Sequence, residues 1–210
     1  MSTQLVLLKG EVIVSKRTAI LNAATRSFAT KGFRETSTTD LAQMTGVAEG
    51  TVFYHFESKE KLFLAVLDHV RQEFERDFVE YLERASVDSG LMMVDEAARF
   101  YLELAAEKEE LFLLLHRSDA FELARVNGHC RKQLEAIFDC FVGVFERALL
   151  KGQQDGSIAA FPARNMALLI FTMVDGLVRL RDSSLYDPGA MYPDVLDACR
   201  KLVARPIPAE

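Results

Sequence analysis

Apolar residues recur at helical spacing along almost the whole chain. In the first clear segment Ser15 precedes a run in which Ile20, Ala24 and Phe28 stand four residues apart with Leu21 beside them. That spacing makes one apolar stripe, and Ser15 is its expected N-cap. Gly32 follows the last turn, where a glycine takes the left-handed conformation that closes a helix, and Phe33 is expected to fold back onto the helix end. Ser37-Thr38-Thr39-Asp40 has the form of a capping box with Asp in the usual Glu position, and it opens a short helix carrying Leu41, Ala42 and Met44. Gly46 stops that helix and another starts within three residues, which is the arrangement of a helix-turn-helix. Strand patterning is almost absent, and Asp155-Gly156 follows a helical run ending Leu149-Leu150-Lys151, so it does not read as a hairpin turn. The periodicity predicts an all-α chain of about nine helices. The expected breaks fall at Lys31 to Glu35, Gly46, Glu57-Ser58, Val87 to Gly90, Arg117 to Asp119, Gly152 to Pro162 and Asp182 to Pro193.

The helix after Gly46 is the informative one. At ~100° per residue, Val52, Phe53 and Phe56 fall on one arc, while Gly50, Thr51, Tyr54 and His55 fall on the opposite one. The outward arc offers short or rigid hydrogen-bonding side chains and a glycine that lets a backbone approach, and Lys59 stands in the first turn of the next helix. Such a set suits phosphate oxygens and base edges in a major groove. Charge points the same way. From Lys9 to Leu62 eight basic residues face six acidic ones, whereas the whole chain carries 25 Lys and Arg against 31 Asp and Glu, a net charge of −6. A uniformly basic nucleic-acid coat is excluded, but a mildly basic N-terminal module on an acidic remainder suggests that only one end approaches a polyanion, the alternative being a chance excess of two charges.

These residues together carry a resemblance. Ile20-Leu21-Asn22-Ala23-Ala24, Phe28, Gly32-Phe33, Asp40-Leu41-Ala42, Gly46-Val47, Gly50-Thr51-Val52-Phe53-Tyr54-His55-Phe56 and Ser58-Lys59-Glu60 resemble the DNA-binding signature of the TetR family of bacterial transcriptional regulators. The resemblance implies a helix-turn-helix DNA-binding domain over residues 1–60 and an all-α regulatory, ligand-binding and dimerisation domain over residues 61–210. It also implies a homodimer on a palindromic operator of double-stranded DNA. Carried over by position, Thr38 and Thr39 touch phosphate, Glu49, Gly50, Thr51 and Tyr54 approach bases or adjacent backbone, and His55 and Lys59 hold phosphates. Three positions depart from the pattern. Thr39 stands where members often have arginine, Ala48 stands where a serine cap worth ~1 kcal/mol is common, and Glu49 is an acid where many members are neutral or basic. Glu49 either accepts from a cytosine amino group or complements the positive end of its helix.

Beyond Leu62 the patterning alone speaks. Arg164 to Arg181 is apolar almost all round, so the helix must be covered on both sides. In the family the last two long helices pack against their copies, which implies an interface of Met166, Leu169, Ile170, Met173, Gly176, Leu177 and Leu180 with Val195 and Cys199 of the final helix. The chain has 15 Phe and no Trp. Phe112, Phe138 and Phe141 line an expected cavity for a small, largely apolar or aromatic effector, or else simply fill the core. His116 and Asp175, polar among apolar neighbours, either orient that ligand or satisfy a neighbouring group.

Composition narrows the rest. Half the residues are hydrophobic and 27% are charged, as in a globular protein. Cys130, Cys140 and Cys199 are odd in number and lack CxxC spacing, so they read as thiols in a reducing compartment and as small core residues. Met166 to Val174 is about half the ~20 residues needed to span a bilayer, and Leu5 to Leu8 is too short for a signal sequence. The expected location is cytoplasmic, without membrane association. There is no GxxxxGK[ST], GxSxG or HExxH, and no two histidines stand at i and i+4, so no catalytic residue, metal ligand or cofactor is expected. The reading is a ligand-responsive DNA-binding regulator, most naturally a repressor. The competing reading is an all-α small-molecule binding protein with weak or no specific DNA binding.

Overall fold

The computed structural model describes residues 7–8, 11–12, 15–84, 88–184 and 187–204. The expectations placed on Leu5, Val6, Lys9 and Val87 lie outside them. The two-residue strands β1 (Leu7–Leu8) and β2 (Glu11–Val12) pair antiparallel. Ten α-helices follow among the described residues: α1 (Lys16–Thr30), α2 (Thr38–Thr45), α3 (Glu49–Phe56), α4 (Lys59–Arg84), α5 (Gly90–Glu107), α6 (Glu109–His116), α7 (Ser118–Val126), α8 (Gly128–Asp155), α9 (Ala163–Asp182) and α10 (Tyr192–Val203). The chain is therefore all-α, with one helix more than the periodicity counted. Lys108 and Asn127 break helical runs that look continuous in sequence. Asn127 does so by turning its side-chain oxygen to the backbone N–H groups of His129 and Cys130, at 2.9 and 3.0 Å, which caps α8.

Contacts divide the chain into two compact units, residues 1–69 with 113–131 and residues 70–112 with 132–210. In the first, α1 packs against α2 and α3. Ile20, Ala24, Phe28, Leu41, Val52, Phe56, Leu62 and Phe63 are buried, and each large side chain removed from water contributes ~1.5 to 3 kcal/mol. Phe33 does fold back: its ring lies 5.7 Å from Phe28 and 5.2 Å from Phe63. The segment 113–131 belongs to this unit, with Ala120 and Cys130 buried and Glu122 paired with Arg34 at 2.6 Å, a placement that chain order does not reveal.

The second unit is built on α5, which packs against α9 and α10. Its centre is aromatic: Phe74, Phe112 and Phe141 meet edge-on or tilted at centroid distances of 4.9 to 5.7 Å. Tyr101 stands edge-on to Phe112, Phe141 and Phe171. One ionised group enters this apolar setting. The Tyr101 hydroxyl donates to Asp175 Oδ1 at 2.6 Å and Arg179 Nε donates to Asp175 Oδ2 at 2.6 Å, so the buried carboxylate has a donor on each oxygen. Burial, then the adjacent Asp175 charge, holds the Tyr101 hydroxyl well above its ordinary pKa, so it remains a donor across the physiological range. Tyr101→Phe keeps the ring and removes one of those donors. The expected cost is about 1 to 3 kcal/mol, read as a lower urea midpoint at unchanged m-value.

Candidate nucleic-acid interface

Local rules fix the two helices that face outward. The Ser37 side chain accepts from Asp40 N at 3.0 Å and so caps α2. At its other end Gly46 takes φ +66°, a conformation any side chain would strain, and its N–H reaches back to the carbonyls of Ala42 and Gln43. Val47 N donates to Ala42 O at 3.0 Å, completing the turn. Ala48 precedes α3 without a side-chain cap, as its methyl group requires. Two turns of helix result, with Val52 and Phe56 pinned inside and Tyr54 projecting at 83% exposure. Glu49 and Gly50 are exposed, and Thr51 and His55 are half-buried. Phe53, expected on the inner arc, is instead 45% exposed. An eight-residue helix that touches α1 and α2 along one narrow line has room for only Val52 and Phe56, spaced four apart, and Phe53 falls on its flank.

The structure brings three of the expected residues together. Thr38 and Thr39 hydroxyls both donate to Glu49 Oε1, at 2.8 and 3.0 Å, so one carboxylate joins the first turns of α2 and α3. This position also suits the positive end of α3. Lys59 lies elsewhere. Its ammonium donates to the carbonyls of Arg34 and Thr36, at 3.2 and 3.0 Å, and sits 4.7 Å from the Phe33 ring centroid. Two of its three donors thereby hold the connection between α1 and α2.

Two residues that sequence reasoning missed complete this connection. Arg117 sends its guanidinium to the carbonyls of Ala29, Thr30 and Lys31, each at 3.2 Å, supplying the end of α1 with the donors that its last turn lacks. The cation also faces the negative end of the helix. Asp119 accepts from Arg117 Nε and from Phe33 N, both at 3.2 Å. Gly32 passes beneath this pair at φ +96°, and a Cβ there would stand 2.6 Å from both side chains. The only sequence signal was a helix break at Arg117, and nothing in it named a partner more than eighty residues earlier.

Of the residues expected to meet a ligand, Phe112 and Phe141 are fully buried in the aromatic centre, with Phe138 6.4 Å from Phe141. Asp175 is held by Tyr101 and Arg179, and His116, half-buried, belongs to the first unit. A cavity of about 650 Å3 opens between α4 and α5, and none of these five lines it. On the helices expected at a dimer face, Ile170, Leu177, Val195 and Cys199 are packed inside the chain's own fold, whereas Leu169 is 55% exposed and Met166, Met173, Gly176 and Leu180 are half-buried. The thiols of Cys130 and Cys199 are pushed up to about 11, chiefly by burial, so they stay protonated at neutral pH. Among the described residues no three His, Cys, Asp or Glu side chains converge as a metal site, and no helix is long and apolar enough to cross a membrane.

Residues 20–66 match the family model described as bacterial regulatory proteins, tetR family. The chain is 29% identical to the HTH-type transcriptional regulator TtgR of Pseudomonas putida over 173 residues, 78% of each protein. It is 27% identical to the probable HTH-type transcriptional regulator ArpR of Pseudomonas putida over 172 residues, 77% of this chain and 78% of that one. The matched segment places the chain's helix-turn-helix in the TetR family. Its fold matches that of a transcriptional regulator from Saccharomonospora viridis crystallised with choline, at a TM-score of 0.75 and 19% identity over 90% of this chain and 98% of that one. The geometry separates residues that build this face from residues that project from it. Arg117→Ala is expected to lower stability by about 1 to 3 kcal/mol by stripping charged hydrogen bonds from α1. Tyr54→Ala changes it by less than ~0.5 kcal/mol. Parallel urea unfolding curves of the two variants check both values.

Proposed function

We propose that this protein is a homodimeric transcriptional repressor that binds a palindromic operator and is released from it by a small-molecule effector. The observation that carries the reading is the outward row on α3: Tyr54 almost fully exposed, with Glu49, Gly50 and Thr51 one turn before it, on a helix stiffened by the Gly46 turn and two buried anchors. Laid in a major groove, that row supplies a phenol and a hydroxyl for base edges and phosphates, and Phe53 supplies an apolar contact for a thymine methyl. Glu49 is acceptor-only while ionised, and its matching group is the exocyclic amine of cytosine. Thr38, Thr39 and His55 border the same face and are the nearest groups for phosphate. Lys59 serves them by holding the α1–α2 connection in place.

A dimer would set two such helices one DNA turn apart, ~34 to 36 Å. The part of the α9 and α10 surface left for a second copy carries exposed Leu168, Leu169 and Leu202 and half-buried Met173 and Leu180. Effector binding shifts the population toward a form in which the spacing no longer fits, and a coupling of ~1 to 3 kcal/mol lowers operator affinity some 5- to 150-fold. We assign the protein to the cytoplasm and give it no catalytic role. The second reading, a binding protein with weak DNA affinity, is motivated by the same face. Thr38 and Thr39 already donate to Glu49, and two of the Lys59 donors are engaged internally.

The deciding measurement is a titration against the DNA flanking the protein's own gene, with unrelated competitor, over a salt series. Tight binding that survives competitor and falls at least about tenfold in Thr51→Ala/Tyr54→Ala supports the repressor. Affinity equal to that for competitor, or unchanged in the variant, overturns it in favour of the binding protein. Leu169→Lys places a charge in the proposed contact row without touching the core. Sedimentation should show wild-type dimer and variant monomer with the same helical content.

A further inference from the structure

The cavity between α4 and α5 has a chemistry of its own. Its volume, about 650 Å3, is that of a small-molecule site. One wall is a stack: the Tyr81 and Phe100 rings lie 4.2 Å apart and 16° from parallel, joining the two helices. The Tyr81 hydroxyl oxygen is buried and has no hydrogen-bond partner, which is the condition of a group that a ligand or its water would satisfy. Burial, with the Glu96 charge behind it, raises that hydroxyl to about 12, so it stays protonated.

Around the stack stand five carboxylates and one guanidinium. Two of the carboxylates are matched: Asp77 by Lys108 at 3.1 Å and Glu80 by Arg84 at 2.6 Å. Glu96, Glu103 and Glu107 have no cationic partner among the described residues. Their spacing, seven and four residues, puts all three on the face of α5 that carries Phe100. An anion would meet three like charges, and a neutral apolar molecule would desolvate carboxylates without compensation. A small metal ion is poorly served, because no three ligands converge there. A cation whose charge is spread over alkyl or aryl groups answers every feature at once. It is weakly hydrated, it favours aromatic faces, and it needs negative charge nearby but no fixed coordination.

We propose that the α4–α5 cavity binds a hydrophobic organic cation, with Tyr81 and Phe100 as its aromatic wall and Glu96 and Glu103 as its countercharges. This deepens the repressor reading by naming the effector's class, and it rests on that reading only for the word effector. The test is titration calorimetry on the full chain with benzyltrimethylammonium, and with phenylacetate as a ring of opposite charge. Saturable binding of the cation, none of the anion, and a loss of at least about tenfold in Glu96→Gln/Glu103→Gln are expected. Both positions are exposed, so the double variant should melt with the wild-type protein, and Phe100→Leu provides an independent loss of the wall. Equal affinity in wild type and the double variant, or no saturable binding of the cation, overturns the proposal. No DNA is present in this titration. Its failure leaves the operator experiment to decide the repressor reading, and failure of the operator experiment leaves the cation site standing.

Discussion

A helix ends with carbonyls that have no partner within it, and the carbonyl end of α1 is the point on which the DNA-facing half of this protein depends. Arg117 satisfies three consecutive carbonyls, and Lys59 satisfies two more a few residues on, at Arg34 and Thr36. Between them they fix residues 29–36, the segment that sets where α2 begins. The position of α2 sets the Gly46 turn, and the turn sets the direction of α3. Every outward side chain on α3 therefore inherits its place from two cations bound to backbone carbonyls. Hydrogen bonds from a cation are roughly twice as strong as neutral ones, so two side chains suffice to fix the segment.

The same economy appears at Glu49. A carboxylate at a DNA surface is unfavourable as a neighbour of phosphate, yet here it accepts from two threonines at the start of α2 and lies in the first turn of α3. Both helices tolerate the charge because their exposed N–H groups favour it. The acid thus braces the two helices against each other while leaving an acceptor on the outer face.

The second unit handles charge by the opposite method. Asp175 is taken into an aromatic interior and held by Tyr101 and Arg179, so its cost of burial is offset within the core. Glu96, Glu103 and Glu107 stay at the rim of a cavity with no cation to offset them among the described residues. A fold that satisfies the buried carboxylate so fully and leaves these three open places its unspent electrostatic attraction at one location.

Much of this was legible in the residues. Ser15, Ser37, Gly46 and the four-residue spacing of Ile20, Ala24 and Phe28 specify local structure through contacts within one turn, so the helix-turn-helix and the exposure of Tyr54 could be read without a fold. Phe53 shows where that reading stops, since a helical wheel gives directions but not the width of the partner surface. Arg117, Asp119 and the Tyr81–Phe100 stack could not be read at all, because their partners lie far away in sequence and only packing brings them together. By itself, then, the sequence determined the all-α class, the elements and caps of the helix-turn-helix and the chemistry offered on the outer face of α3, all of which depend on interactions between near neighbours. The tertiary structure decided which aromatic residues fill the core and which form a wall, which dimer-face candidates were already covered, and which cation closes α1. Each of those turns on which distant surfaces meet, a choice that local periodicity does not encode.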